Sequence, residues 1–387
     1  MIVLLLLLSA CGSSPAETVT AEADSSVTEA ITSTLDSGTV ENSQTVEIPE
    51  TEEISETAEI SETSETSGLA EPSDTTQDEP KETAERQILY RYASKEEGAE
   101  LLMANEAYYD GFSQNDLDFR FQKVGATMEE YRAFAREQSL DFTEEEIALV
   151  DGYFNNMERT LAENGYKLPP LEEVVLIKMT LEEEKGAGGY THGTQIYIDG
   201  DYLQMALADD DINQQTYLEY LKYVFWHELF HCLTRSNPDF QKEMYSIIHF
   251  TIVEEDFPLP PTVFEYHISN PDVEHHNSYA SFRINGEDID CFTDLVTTKH
   301  FETPGETFFS CMTTALIPID GTDIYYTPEQ AENFDDVFGK NTGYVIDPEE
   351  CMADNFTYAM QHGINGKNGE GYQNPEIIAA IIEYLSR

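Results

Sequence analysis

The sequence predicts an α+β fold: one long helix beside a small mixed sheet, with a helical region ahead of both. Three observations predict it. Residues 94–164 carry apolar side chains at helical spacing. Residues 173–198 hold two short runs rich in Val, Ile, Leu and Tyr. Residues 213–234 form one uninterrupted helical stretch, closed by Ser236-Asn237-Pro238.

The elements follow in chain order. Ile2 to Leu8 is an unbroken apolar run, too short to span a bilayer and suited to the apolar part of a signal peptide. Leu8-Ser9-Ala10-Cys11 comes next and resembles the lipobox of bacterial lipoproteins. The resemblance implies a signal peptide over residues 1–11, a lipid on Cys11, and an extracytoplasmic protein anchored to the cell membrane of a bacterium. No Lys or Arg precedes the apolar run, which departs from the signal-peptide pattern. Residues 12–85 are Ser, Thr, Glu and Ala, with Lys81 the one basic residue before Arg86 and with Glu53-Ile54-Ser55-Glu56-Thr57 recurring as Glu59-Ile60-Ser61-Glu62-Thr63. Such a stretch buries too little apolar surface to offset its ordering entropy, so it reads as a disordered acidic stalk.

Residues 86–168 read as a helical region, with helices over 94–113, 128–138 and 143–164. Thr143 and Glu146 have capping-box spacing, and Gly165 stands where a helix ends. Pro169-Pro170 break the chain. Residues 173–181 and 190–198 read as strands, with Gly186 to Gly189 as a turn or bulge region between them. Phe240 to Phe250 reads as a further helix. Asn285-Gly286 between 278–284 and 289–295 is a hairpin signal. Residues 325–338 read as loop and short helix. The region 169–387 is then one unit with an inserted segment at about 240–343.

Chemistry concentrates in Val224-Phe225-Trp226-His227-Glu228-Leu229-Phe230-His231-Cys232-Leu233. His227 and His231 are four apart on a helix, so both imidazoles leave one face. Two neutral imidazoles at that spacing suit two positions of a tetrahedral zinc site. Glu228 follows the first histidine, where a general base would stand beside a metal rather than on it. Apolar neighbours on either side leave these polar groups needing a partner, and a metal supplies one.

The segment resembles the active-site helix of zincin metallopeptidases. Thr234 and Asn237 stand where the metzincin branch needs Gly and His, which points instead to the gluzincin, thermolysin-like branch. That resemblance implies a third ligand from a Glu with an Asp four residues on. Glu350 and Asp354 fit, although His231 and Glu350 are 119 residues apart, far more than in thermolysin-like enzymes. Glu349, Glu254 and Glu255 stay open as alternatives. The resemblance implies one Zn²⁺ per chain on His227, His231 and Glu350. Asp354 would orient a ligand histidine, and Tyr344 would stabilise the oxyanion. Tyr190 and Thr191 would lie on a strand bordering the substrate cleft. The implied activity is peptide-bond hydrolysis outside the cell by zinc-bound water, with Glu228 as general base, on a peptide or protein substrate. A zincin-fold lipoprotein that binds a ligand or partner without catalysis is the other reading.

The formal charge of −56, from 76 acids against 20 Lys plus Arg, repels phosphate backbones and sets nucleic acid aside as a partner. The five cysteines include no CxxC pair, so a cysteine zinc site has no support. Cys232 and Cys351 each follow a proposed ligand and would be neighbours, and a disulfide between them is one expectation. Of the remaining histidines, the adjacent His275 and His276 cannot converge well on one site.

Overall fold

Pairing between distant segments, rather than local signals, sets the architecture. The computed structural model describes residues 86–208 and 211–387, all within one unit covering 84–387. The expected signal segment, Cys11 and the expected acidic stalk lie outside the described residues. Among the described residues the chain forms twelve α-helices and nine strands. They begin with β1 (Tyr90–Tyr92), α1 (Lys95–Met103), α2 (Glu106–Asp110), α3 (Gln114–Phe121), α4 (Met128–Arg136), β2 (Ser139–Leu140) and α5 (Glu144–Asn164). Next come β3 (Val174–Met179), β4 (Gly189–His192), β5 (Gln195–Asp199), α6 (Gly200–Leu207), α7 (Asp211–Ser236) and α8 (Pro238–Ile247). The remainder is β6 (Thr251–Ile252), α9 (Pro261–Phe264), β7 (Ser278–Ile284), β8 (Glu287–Thr297), β9 (Met312–Pro318), α10 (Phe334–Phe338), α11 (Pro348–His362) and α12 (Pro375–Leu385).

The first sheet is mixed. Its order is β1-β3-β5-β4, with β2 also on β3. β1, β3 and β5 run parallel, whereas β4 is antiparallel to β5 and β2 to β3. The helical region therefore supplies two strands to this sheet, and the expected boundary at 168 is crossed by β-pairing. The second sheet, β6-β7-β8-β9, is antiparallel and turns at Asn285-Gly286, both at positive φ.

Two elements differ from the sequence expectation. Residues 190–198 are a hairpin rather than one strand, because Gly193 turns the chain at φ +56. The helix expected over 94–113 is broken near Asn105. There the side-chain amide donates to Leu101 O and Leu102 O and closes the last turn of α1. The capping box at Thr143 and Glu146 is present. Lys178 on β3 then pairs with Glu146 at 2.7 Å in a buried contact that ties the start of α5 to the sheet.

The core gathers around α7. Leu221, Val224, Phe225, Leu229, Phe230 and Leu233 are buried in a core where α7 packs on α5, α6 and α11. A helix apolar almost all round belongs inside a domain. α7 packs on α11 along one side and on β4 along another, which fixes where its polar residues emerge.

Candidate metal centre

His227 and His231 leave α7 toward the first turn of α11. That turn is set by sequence: Pro348 occupies the start of the helix and Asp347 accepts a hydrogen bond from Glu349 N. Asp347 is itself held by Thr293 Oγ1 of β8 at 2.9 Å. Burial pushes its carboxyl up to about 7.

On this frame Glu350 Oε2 comes within 3.0 Å of His227 Nε2 and 3.7 Å of His231 Nε2. The three residues are at most 5% exposed and offer ligand atoms within 4.8 Å of one another. They form a group that could hold a metal ion. A further observation fits that reading: His231 Nε2 is buried and has no hydrogen-bond partner. An orphaned buried nitrogen costs about 1–3 kcal/mol, and a cation on its lone pair removes that cost. Two imidazoles and one carboxylate are also the donor set of known catalytic zinc sites.

The far side of each imidazole faces a carboxylate. His227 Nδ1 lies 3.1 Å from Asp354 Oδ1, and His231 Nδ1 lies 2.9 Å from Glu349 Oε1. Asp354 also accepts from the hydroxyls of Tyr223 and Thr342. Glu349 accepts from Thr234 Oγ1 at 2.5 Å and Tyr245 Oη at 2.6 Å. Glu349 is thus engaged on the outer side of His231, while Glu254 and Glu255 are exposed on the loop after β6. Burial alone would lower the His227 pKa, but hydrogen bonds to Asp354 and Glu350 outweigh it and raise it well above its ordinary value. Burial, followed by repulsion from His227 and Arg235, holds His231 well below the ordinary range.

Glu228 is 3% exposed and accepts a hydrogen bond from Thr191 Oγ1 at 2.6 Å. Burial pushes its carboxyl up to about 7, against the opposing effects of His227 and the Thr191 bond. Thr191 faces the site from β4. Tyr190 faces the other way, stacked on Tyr197 with its hydroxyl 2.9 Å from Glu183. Tyr344 Oη donates to Glu350 Oε1 at 3.3 Å.

Sequence reasoning missed Asn270 and Asp272. Asn270 Nδ2 donates to Glu350 Oε1 at 2.5 Å, and Asp272 forms with Glu228 and His231 a second close group that could hold a metal ion. Both lie in an irregular stretch with no periodic signal. Tyr223 was also missed, although it stands one turn before His227 and that spacing could have found it. Cys232 and Cys351 are buried free thiols, so the expected disulfide is absent. Cys351 Sγ instead approaches Phe338 O at 3.5 Å. His275 and His276 diverge, toward Asp256 and Asp294 respectively.

No helix among the described residues is long and apolar enough to cross a membrane. No family model, curated protein or solved structure matches the chain.

Proposed function

We propose that the chain is a zinc-dependent peptidase of the zincin type, in its gluzincin form, carried outside a bacterial cell by a lipid on Cys11. The observation that carries the reading is the convergence of His227, His231 and Glu350 beside a buried Glu228, with His231 Nε2 lacking a protein partner. Bound there, Zn²⁺ would lower the pKa of a water toward about 7 and polarise a carbonyl.

The chain's own residues do the rest. Glu228 takes the proton of the attacking water and passes it to the leaving amine. Thr191 fixes the rotamer of that carboxylate through its 2.6 Å hydrogen bond. Asp354 and Glu349 keep the ligand imidazoles oriented and basic. Tyr344 supplies a hydroxyl donor beside Glu350, in reach of a developing oxyanion.

The test is cleavage of a diverse peptide library by the zinc-loaded protein, beside Glu228→Ala and a chelated sample. Cleavage by the wild type alone is expected. Wild-type turnover by Glu228→Ala would exclude the scheme. One observation favours a binding module without catalysis: Glu228 is almost fully buried, with Asp272 beside it. One bound zinc with no cleavage in any sample would support that reading. For the anchor, labelled palmitate should enter the wild type in bacterial cells and not Cys11→Ala, and equal labelling would remove the lipid from the account.

A further inference from the structure

The free edge of β4 borders Glu228 and is where an extended peptide could add to the sheet. One outward amide of β4 and one of the turn after it are already engaged. Thr191 N–H donates to Asp272 Oδ1 at 2.7 Å, and Gly193 N–H donates to Glu274 Oε1 at 3.0 Å. Thr191 lies on the strand and Gly193 in the turn that follows it. The Asp272 carboxylate therefore stands where a carbonyl of an added strand would accept, and Glu274 holds the adjoining turn.

The segment that carries them is fastened to the site. Arg235 lies one turn beyond His231 on α7. It donates to Pro271 O at 3.2 Å, pairs with Glu274 at 3.1 Å and lies 3.8 Å from Asp272. Asn270 reaches Glu350, and Asp272 Oδ1 is 4.0 Å from His231 Nε2. The same segment walls a cavity of about 400 Å³ through Asn270, Pro271, Val273 and Glu274. His192, whose buried Nε2 has no partner, borders that cavity, whereas His227, Glu228, His231 and Glu350 do not. The segment thus touches both that open space and the group of His227, His231 and Glu350.

We propose that Asn270–Glu274 is a built-in gate that fills the peptide position along β4 and moves aside to admit an extended chain, with the Glu274–Arg235 pair as its latch. That the entering chain is a substrate rests on the peptidase reading. The latch opens at its Glu274 end, where the side chain is 38% exposed and can be hydrated, while the Arg235 side chain is 8% exposed and needs another acceptor when Glu274 leaves. Asp272 is buried, and it leaves the β4 edge only when another acceptor takes the Thr191 amide.

The test uses the full-length zinc-loaded protein, as wild type, Glu274→Ala and Glu274→Gln. Amide hydrogen exchange is followed at Thr191 and Gly193, with Ile196 and Ile198 of β5 as internal controls. Peptide cleavage is measured in parallel. Glu274→Ala should speed exchange at Thr191 and Gly193 by roughly five- to tenfold, the effect of losing about one hydrogen bond, and leave the β5 amides unchanged. Its kcat/KM should rise by a similar factor, with Glu274→Gln intermediate. Unchanged exchange at both amides would overturn the gate whatever the activity. Faster exchange with a lower kcat/KM would also overturn it, because the segment would then be part of the substrate site. Faster exchange in a protein that cleaves nothing would uphold the gate at a binding site while the peptidase reading falls.

Discussion

Each histidine of the pair has one nitrogen turned to Glu350 and the other turned to a buried carboxylate, Asp354 or Glu349. A carboxylate on Nδ1 holds the proton there and leaves Nε2 as the lone-pair donor. Asp354→Asn and Glu349→Gln should each weaken zinc binding by about 10- to 100-fold, measured by competition with a chromogenic chelator. Unchanged affinity in both variants would show that neither carboxylate tunes its histidine. At this scale the sequence was legible wherever spacing along one helix sufficed. His227, Glu228 and His231 share a turn of α7, and Glu350 and Asp354 share a turn of α11. The role of Glu349 was not legible, since adjacent positions on a helix point different ways and only the packing shows which face meets His231. Asn270 and Asp272 gave no signal, because a loop residue is placed by whatever the loop rests on.

Among elements, the contact of β4 with α7 decides the geometry of Glu228. A Cβ on Gly189 would stand 2.8 Å from Val224 Cγ1 and 3.1 Å from Glu228 Oε1. The strand therefore approaches the helix at a distance that only glycine permits. Gly189→Ala should cost about 1–3 kcal/mol of stability by overpacking and, on the proposed peptidase function, reduce turnover by shifting the Thr191–Glu228 pair. Urea unfolding and library cleavage together check both effects, and a variant with wild-type values in each would refute the close-packing argument. The glycine run was legible as an irregularity, but its purpose was not, since a turn and a close approach both call for small residues. Helix ends were read well where a side chain caps its own helix, as at Thr143. They were missed where the break depended on subtler contacts, as at Asn105. The hairpin inside 190–198 was missed because Tyr, Ile and Thr on both sides of Gly193 give one continuous strand-like pattern.

Over the whole molecule, stability should depend on pH through buried acids away from the candidate metal group. Burial, with Glu184 adding to it, pushes Glu183 up to about 8 from its usual 4.5. Within that window the folded chain keeps a proton that the unfolded chain releases. Its contribution is full below the unfolded pKa and is lost as pH rises toward the folded one. Stability should therefore fall with rising pH, at up to about 1.4 kcal/mol per pH unit for this one proton. Glu183→Gln should flatten that slope, read from urea unfolding at the two ends of the window. An identical slope in the variant would remove Glu183 as its source. The chain's order also carries meaning at this scale: β1 and β2 pair with β3 across the expected boundary, and the segment between the two motifs brings Asn270 to Glu350 and Thr293 to Asp347. By itself the sequence determined the α+β class, the long helix and the spacing of His227, Glu228 and His231, because these follow from periodicity and local backbone geometry. Only the tertiary structure decided that Glu350 meets the histidines, that Glu349 stands behind His231, and that Asp272 and Glu274 cover β4 and the turn after it. Those contacts join residues from about 40 to 120 positions apart, and they exist only once the core around α7 has brought the segments together.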